Sequence, residues 1–385
     1  MRGSSRHADG IGVAVIGTGL MARAHTYAYT AAPMVARLPV VAVLRVLCGR
    51  RPTVAQDRAA AWGFEDWTTD WRSAVEREDV QLVDVCTPPG AHLEVIEHAA
   101  ACGKAILCEK PLAATLDDAV RASVVVAKRR VLNAVGFNYR RLPAVMLMRQ
   151  LIEEGGIGEP RVWRGRWLSD EFADPTMALD WRFDRALAGS IGSDLGIHLI
   201  DLAQWMLGGV QEVVADSATF IDSRPLPDGS GTGAVSTEDT AGVLLRFTGG
   251  VRGILEMTRV AVGRPLDWLV EVEGSEGAVS FRYENLNELW LARRREDLRT
   301  GGFHRIRAEY PVHPYAERWW PPGQGIGYDA SFINQVCDLF ATWPEGPWRP
   351  SFAEAVRTQA VVDAIERSAA SGVWVKVSDM GELPA

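Results

Sequence analysis

The sequence is short of cysteine, of basic excess and of long apolar runs, and each shortage closes a class of function. Its five cysteines, Cys48, Cys86, Cys102, Cys108 and Cys337, are odd in number and mostly embedded in apolar runs. That excludes a disulfide framework and implies buried free thiols in a reducing cytoplasm. No C-x-x-C or H-E-x-x-H spacing occurs, so no metal site is expected. Lysine plus arginine number 41 against 49 acids, a net charge of −8, which argues against a nucleic-acid or anionic-membrane partner. No apolar run is long enough to span a bilayer. The opening MRGSSRHADG lacks the apolar stretch of a secretory signal. What is there, 385 residues with 47% hydrophobic and 23% charged content, is enough for two globular domains with their own cores.

The first half reads as a nucleotide-binding unit. Ile11 to Ile16 is a short apolar run of the kind that forms a central parallel strand. It leads directly into Gly17-Thr18-Gly19-Leu20-Met21-Ala22, a G-x-G-x-x-A turn, and then a helical segment. The first glycine makes the tight turn, the second lets backbone approach a pyrophosphate, and the small last residue lets helix pack on strand. The helix N-terminus then faces the phosphates. Further apolar runs at Val40–Leu47, Val80–Cys86, Ala105–Cys108 and Val131–Phe137 alternate with helical patterns at Thr53–Trp62, Ala91–Ala101 and Leu116–Lys128. This alternation predicts a Rossmann-type doubly wound parallel sheet over residues 10–137, with the ligand crevice at the carboxyl ends of its strands. Thr87, Pro88, Glu109 and Lys110 follow predicted strands and are expected to line it. His25 and His92 are read as packing on the cofactor side.

The end of the second strand chooses between cofactors. A carboxylate there grips the ribose 2′-hydroxyl of NAD, whereas arginine accommodates the 2′-phosphate of NADP. Here the chain reads Leu47-Cys48-Gly49-Arg50-Arg51-Pro52 without an acid, so NADP(H) is favoured over NAD(H), with Arg50 and Arg51 as phosphate ligands.

Residues 138–385 are read as the second, substrate-binding and oligomerisation domain, and from about residue 160 the pattern changes. Alternating runs at 161–168, 241–247, 251–260, 268–272 and 278–283, with Gly249-Gly250 and Gly274-Ser275-Glu276-Gly277 as turns, predict an antiparallel sheet. Ser351-Phe352-Ala353-Glu354 opens a helix with a capping box that runs to Ser371-Gly372. Residues 222–238, rich in Gly, Pro and Ser, are expected to be a mobile loop. Within GSDLGIHLIDLAQW, Asp194, His198 and Asp201 fall at i, i+4 and i+7, on one face of an α-helix. Asp194 either caps that helix or joins the imidazole in chemistry.

CEKPLA at 108–113, with GTGLMA at 17–22, TPPGAH at 87–92, GFNYRR at 136–141 and the D-x-x-x-H of Asp194 and His198, resembles the glucose-fructose oxidoreductase and inositol dehydrogenase family (Gfo/Idh/MocA). WRF at 181–183 followed by AGSIGSDLGIHLID looks most like its levoglucosan and inositol dehydrogenase branch. The resemblance implies an N-terminal Rossmann domain and a C-terminal α/β domain with a large, open, mainly antiparallel sheet, the substrate between them, the catalytic lysine at Lys110 and the paired acid and histidine at Asp194 and His198. It implies hydride transfer between a ring hydroxyl of a sugar, anhydrosugar or cyclitol and NAD(P). Such a reaction leaves a hydroxyl proton to be removed, by His198 or by Lys110. Lys110 is also the donor to the substrate oxygen, and Asp194 orients or balances the imidazole. Some members of the family recycle the cofactor in glycoside elimination or hydrolysis. A silent nucleotide-sensing protein is the third reading, and the intact Lys110, Asp194 and His198 set weighs against it. Asn138, Trp181 and Arg182 are added on the cofactor side, and Tyr139, Arg140 and Tyr328 on the substrate side. Asp201 is read as a structural or substrate contact. Trp163, Trp167, Trp181 and the Trp319-Trp320 pair are candidates for shaping a polyol pocket, with Trp181 singled out by its place in the WRF motif. An aromatic-rich open sheet is most easily covered by another copy, so a homodimer or homotetramer is expected.

Overall fold

The computed structural model describes residues 9–294 and 299–381. Strands β1 (Asp9–Ile16), β2 (Val40–Cys48), β3 (Asp66–Thr68), β4 (Leu82–Val85), β5 (Ala105–Cys108) and β6 (Asn133–Val135) alternate with helices α1 (Leu20–Val35), α2 (Pro52–Trp62), α3 (Trp71–Glu76), α4 (His92–Ala101) and α5 (Leu116–Arg129). The strands form one sheet in the order β3-β2-β1-β4-β5-β6, with every pair parallel. Val13, Val15, Leu82, Val83, Ile106 and Leu107 are all buried, as strands covered by helices on both faces must be. The strand order reverses between β1 and β4, which opens a crevice at their carboxyl ends.

The chain continues through α6 (Pro143–Glu153), β7 (Pro160–Leu168), α7 (Arg185–Ala188), α8 (Ile197–Leu207), β8 (Val210–Ala218), β9 (Ser223–Pro225), β10 (Thr232–Ala234), β11 (Thr240–Phe247), β12 (Arg252–Thr258), β13 (Asp267–Gly274), β14 (Gly277–Arg282), β15 (Glu288–Arg293), β16 (His304–Arg307), α9 (Asp329–Ala341), α10 (Phe352–Ser371) and β17 (Val375–Lys376). Nine of these strands form the second sheet, ordered β16-β15-β14-β13-β7-β12-β11-β8-β17. The β7–β12 pair is parallel and the others are antiparallel. Trp163, Trp167, Leu255, Met257, Trp268 and Val270 point inward, while Leu244 and Ile254 on the opposite face stay exposed, following the period-2 alternation of strands.

Residues 222–238 are not the plain loop that their composition suggests. Ser223–Pro225 pairs with Thr232–Ala234, and only the turn between them carries the glycine-rich character. Arg224 seals the hairpin: fully buried, it donates to the carbonyls of Phe172 (2.6 Å) and Asp174 (2.7 Å). Trp163 is likewise core rather than pocket, with no exposure at all.

The last third of the chain returns to the first. Phe332, Ile333, Val336 and Phe340 of α9 share one apolar cluster with Val13, Tyr29 and Ala32. The Val135 amide at the sheet edge donates to the Pro350 carbonyl at 2.9 Å. Ser351 and Glu354 complete the expected capping box of α10.

Arg140, expected at the substrate, is a structural residue instead. Its guanidinium grips Asp201 through Nε (2.7 Å) and Nη2 (2.6 Å), and Nη1 reaches Glu354 at 3.2 Å. Asp201 is almost fully buried, so it needs this partner. Removing one member of such a pair leaves a buried charge uncompensated. Asp201→Ala is therefore expected to cost about 3–5 kcal/mol, read as a lower urea midpoint, whereas Arg140→Met combined with Asp201→Leu restores most of the loss.

Candidate active site

The glycine turn meets the steric demands read from it. Gly17 has φ +131°, and a Cβ there would lie 2.4 Å from the Cys86 carbonyl oxygen. A Cβ on Gly19 would meet nothing within 4 Å. Gly19 precedes α1 without any side-chain cap, and the first turn of α1 has no acid, so its free N–H groups and positive dipole end face open space. Ala22 is fully buried, which lets the helix sit close to β1. This cradle fits a dinucleotide pyrophosphate. At the end of β2, a Cβ on Gly49 would lie 2.5 Å from Thr18 Cγ2, while Arg50 and Arg51 are exposed.

Two turns at the crevice are tied together by His92. Its Nε2 is 2.7 Å from the Thr87 carbonyl oxygen and its Nδ1 is 3.0 Å from that of Pro111. The ring thus packs between the Thr87-Pro88 turn and the Glu109-Lys110-Pro111 turn from beneath; burial holds its pKa below the usual range, so it is neutral and donates a single hydrogen bond, with the Cys108 thiol 3.3 Å from Nδ1.

Lys110 crosses to the second half. Its ammonium donates to the Asp194 main-chain carbonyl at 2.7 Å and lies 3.6 Å from Asp194 Oδ1. Asp194 does not cap a helix. It sits in a π-helical turn, Gly192–Gly196, that runs into α8 without a side-chain cap. The wide turn breaks the simple i, i+4, i+7 register, so Asp194 faces Lys110 while Asp201 faces Arg140. Gly196 permits the turn to press on β12, since a Cβ there would be 2.3 Å from Met257 Sδ.

His198, in the first turn of α8, lies against Trp167 with the rings 5.3 Å apart at 15° and takes Tyr139 edge-on at 4.8 Å. Its Nδ1 is buried without a hydrogen-bond partner. Burial, reinforced by the charge of Lys110, pushes its pKa well below the ordinary value, so the ring is neutral. Tyr139 extends the aromatic wall to Trp268, Tyr283 and Tyr328, with ring centroids 5.1, 6.0 and 5.8 Å away.

The remaining candidates divide. Asn138 donates to Ser331 Oγ at 2.7 Å, which turns its amide toward α9. Trp181 and Arg182 stack on each other at 4.4 Å. Trp320 is 67% exposed and Trp319 packs beside Ala316 and Ile326, so this pair does not join the wall around His198. His25 is buried beneath the crevice between two carboxylates. One residue within electrostatic reach of the site was missed. Glu171, exposed in the loop after β7, has its pKa raised by partial burial and by the charge of Asp194, with Arg182 and Lys110 opposing. It therefore belongs to the same neighbourhood, and an acid just past a strand end was its only sequence signal.

A nucleotide cradle in one half, facing a lysine, an acid and a neutral imidazole across the two halves, defines a dinucleotide-dependent oxidoreductase. Comparison with known proteins makes this particular. Residues 11–137 match the oxidoreductase family with an NAD-binding Rossmann fold, and residues 145–280 match the GFO/IDH/MocA C-terminal domain. The chain belongs to the Gfo/Idh/MocA family. It is 38% identical to levoglucosan dehydrogenase from Pseudarthrobacter phenanthrenivorans, over 95% of this chain and 98% of that one. It is 30% identical to inositol 2-dehydrogenase from Rhizobium meliloti, over 85% and 89% of the two chains. The solved structure of levoglucosan dehydrogenase in complex with NADH superposes with a TM-score of 0.93 at 38% identity, covering 97% of this chain and all (100%) of that one.

The depressed pKa of His198 has a consequence for stability. Unfolded histidine takes up a proton near about pH 6.5, whereas the folded ring does not, so this residue lowers stability as pH falls below that value. Urea melts at about pH 8 and about pH 5.5 should show a smaller acid loss in His198→Gln than in the wild type. Equal losses would mean that the ring becomes charged in the fold.

Proposed function

We propose that the protein is an NAD(P)-dependent dehydrogenase acting on a ring secondary alcohol of a sugar, anhydrosugar or cyclitol. The observation that carries this reading is the meeting of Lys110 from one half with Asp194 and His198 from the other. Gly17 to Ala22 hold the pyrophosphate, with Thr87, Pro88, Trp181 and Arg182 around the rest of the cofactor and His92 supporting the two crevice turns from beneath. The nicotinamide, when bound, supplies the hydride acceptor. Lys110 donates a hydrogen bond to the substrate oxygen and steadies the negative charge that grows there. His198 takes the hydroxyl proton, since a neutral ring has a lone pair to receive it. Asp194 fixes the ammonium, and the aromatic wall of Tyr139, Tyr328 and Trp167 around His198 borders the substrate. The relatives support the substrate class, being named for levoglucosan and inositol.

We further propose that NADP(H) is preferred. Gly49 leaves no room for a ribose-gripping carboxylate beside Thr18, and Arg50 and Arg51 stand free to meet a 2′-phosphate. NAD(H) is the second reading, because the levoglucosan dehydrogenase structure holds NADH. The free thiols of all five cysteines suit a cytoplasmic enzyme. The outer sheet face, where Leu244 and Ile254 are exposed among the Arg164 pairs with Glu271 and Glu273, is proposed to join copies into a homodimer or homotetramer, which sedimentation of the full chain reads directly.

With a sugar and cyclitol panel, stoichiometric appearance of reduced nicotinamide supports a dehydrogenase, and product without net reduction marks a recycled cofactor. Lys110→Ala and His198→Ala are each expected to lower kcat by about 10²–10⁴-fold while cofactor binding persists. Near-normal turnover in either would remove that residue's role. Replacing Arg50 and Arg51 by alanine should cut kcat/KM for NADP⁺ by roughly tenfold or more, the worth of one charge-assisted hydrogen bond, and leave NAD⁺ little changed. Equal losses for both cofactors would reject the 2′-phosphate role.

A further inference from the structure

Beneath the crevice lies a polar cluster that the proposed chemistry leaves without a task. His25, on α1, is 1% exposed. Its Nδ1 lies 2.9 Å from Asp84 Oδ2 and 3.0 Å from Oδ1, and its Nε2 lies 2.9 Å from Glu109 Oε1. The other Glu109 oxygen, Oε2, accepts the main-chain N–H of Lys110 at 3.0 Å. Tyr29 donates to Asp84 Oδ2 at 3.0 Å, and the Cys86 thiol lies 3.4 Å from Oδ1. A Cβ on Gly136 would sit 2.7 Å from Glu109 Oε1, so this carboxylate has a place made for it. A continuous line of contacts runs from Asp84 through the ring and Glu109 to the backbone of Lys110.

The line is legible as charge. A neutral imidazole carries a single N–H, so one of its nitrogens would turn a lone pair on a carboxylate oxygen. Two buried carboxylates without a cation between them would also be costly. An imidazolium satisfies both contacts. We propose that His25 is a positioning residue, held as an imidazolium between Asp84 and Glu109, which fixes Glu109 under the Lys110 amide and thereby aims the Lys110 side chain at Asp194. Burial works against the charge, but the Asp84 carboxylate, then the Cys86 sulfur, and the hydrogen bonds to both outweigh it and raise the ring's pKa well above the ordinary value. The groups facing the ring are Asp84 and Cys86 at the end of β4, Cys108 and Glu109 at the end of β5, Tyr29 on its own helix, and Tyr328 with the apolar Phe332 from the α9 side. Burial and Asp84 keep Cys86 a neutral thiol. Donor atoms of His25, Asp84 and Cys86 lie within 4.8 Å of one another, but with both ring nitrogens engaged by carboxylates the cluster is better built for a proton than for a metal ion.

The effect on turnover rests on the donor role proposed for Lys110, whereas the charge state does not. Nitrogen-15 spectra of the histidine-labelled full chain, assigned by the signal lost in His25→Gln, should show both His25 ring nitrogens protonated at about pH 8, where an ordinary histidine is neutral, and chelator should leave them unchanged. In Glu109→Gln the same ring should titrate at lower pH than in the wild type. A neutral ring in the wild type, or an unmoved titration in Glu109→Gln, overturns the proposal. His25→Gln should retain cofactor binding, followed by tryptophan fluorescence, and lose kcat on the order of 10²-fold, the scale of a misplaced reacting group. Folded His25→Gln with unchanged kcat overturns the positioning role. If that variant does not fold, the wild-type and Glu109→Gln spectra decide. Failure of the Lys110→Ala prediction with a protonated His25 would sink the function assigned to Lys110 and leave the triad standing.

Discussion

The hydrogen bond from the Lys110 ammonium to the Asp194 carbonyl joins the two halves of the chain at the point where chemistry is expected. Its donor is carried by the turn after β5, its acceptor by the π-helical turn before α8. Because the charge of Lys110 also acts on His198, the position of one side chain influences the protonation of the other. Acid, cation and imidazole therefore form a single electrostatic unit, although they come from separate sheets. Whatever holds the Lys110 turn in place, including His92 and Glu109, also sets the conditions at His198.

The first half was legible because its signals are local. Parallel strands buried on both faces are short apolar runs, and the glycine turn, the T-P turn and the E-K-P turn each follow one of them directly. The edge strand β3 and the short helix α3 escaped, since Asp66–Thr68 and Trp71–Glu76 carry too few apolar residues for a period to show. In the second half, the runs that became β7 and β11 to β14 were visible by alternation. β15, β16, β17 and α9 were not, because β17 has two residues and depends on pairing with the distant β8, and α9 hides in a segment read only for Tyr328.

The site divides in the same way. Lys110, Asp194 and His198 stand in contiguous motifs and could be named from them. Arg140 was read toward the substrate and Asp201 as a structural or substrate contact, and their pairing went unseen, because a charge in a sequence does not announce whether its partner is a substrate or another buried charge. Glu171 gained meaning only from the fold, in which the loop after β7 carries it within electrostatic reach of Asp194, Arg182 and Lys110. The π turn is a further case: one extra residue in a turn leaves no periodic trace, yet it decides which way Asp194 faces.

The return of α9 to the first sheet has a consequence for the order of assembly. Tyr29, Ala32 and Val13 are complete as a core only when Phe332, Ile333 and Phe340 arrive, and these lie near the far end of the polypeptide. A ribosome therefore releases the nucleotide-binding half long before its apolar flank is covered, and that flank is a natural landing place for chaperones or for the same flank of a neighbouring nascent chain.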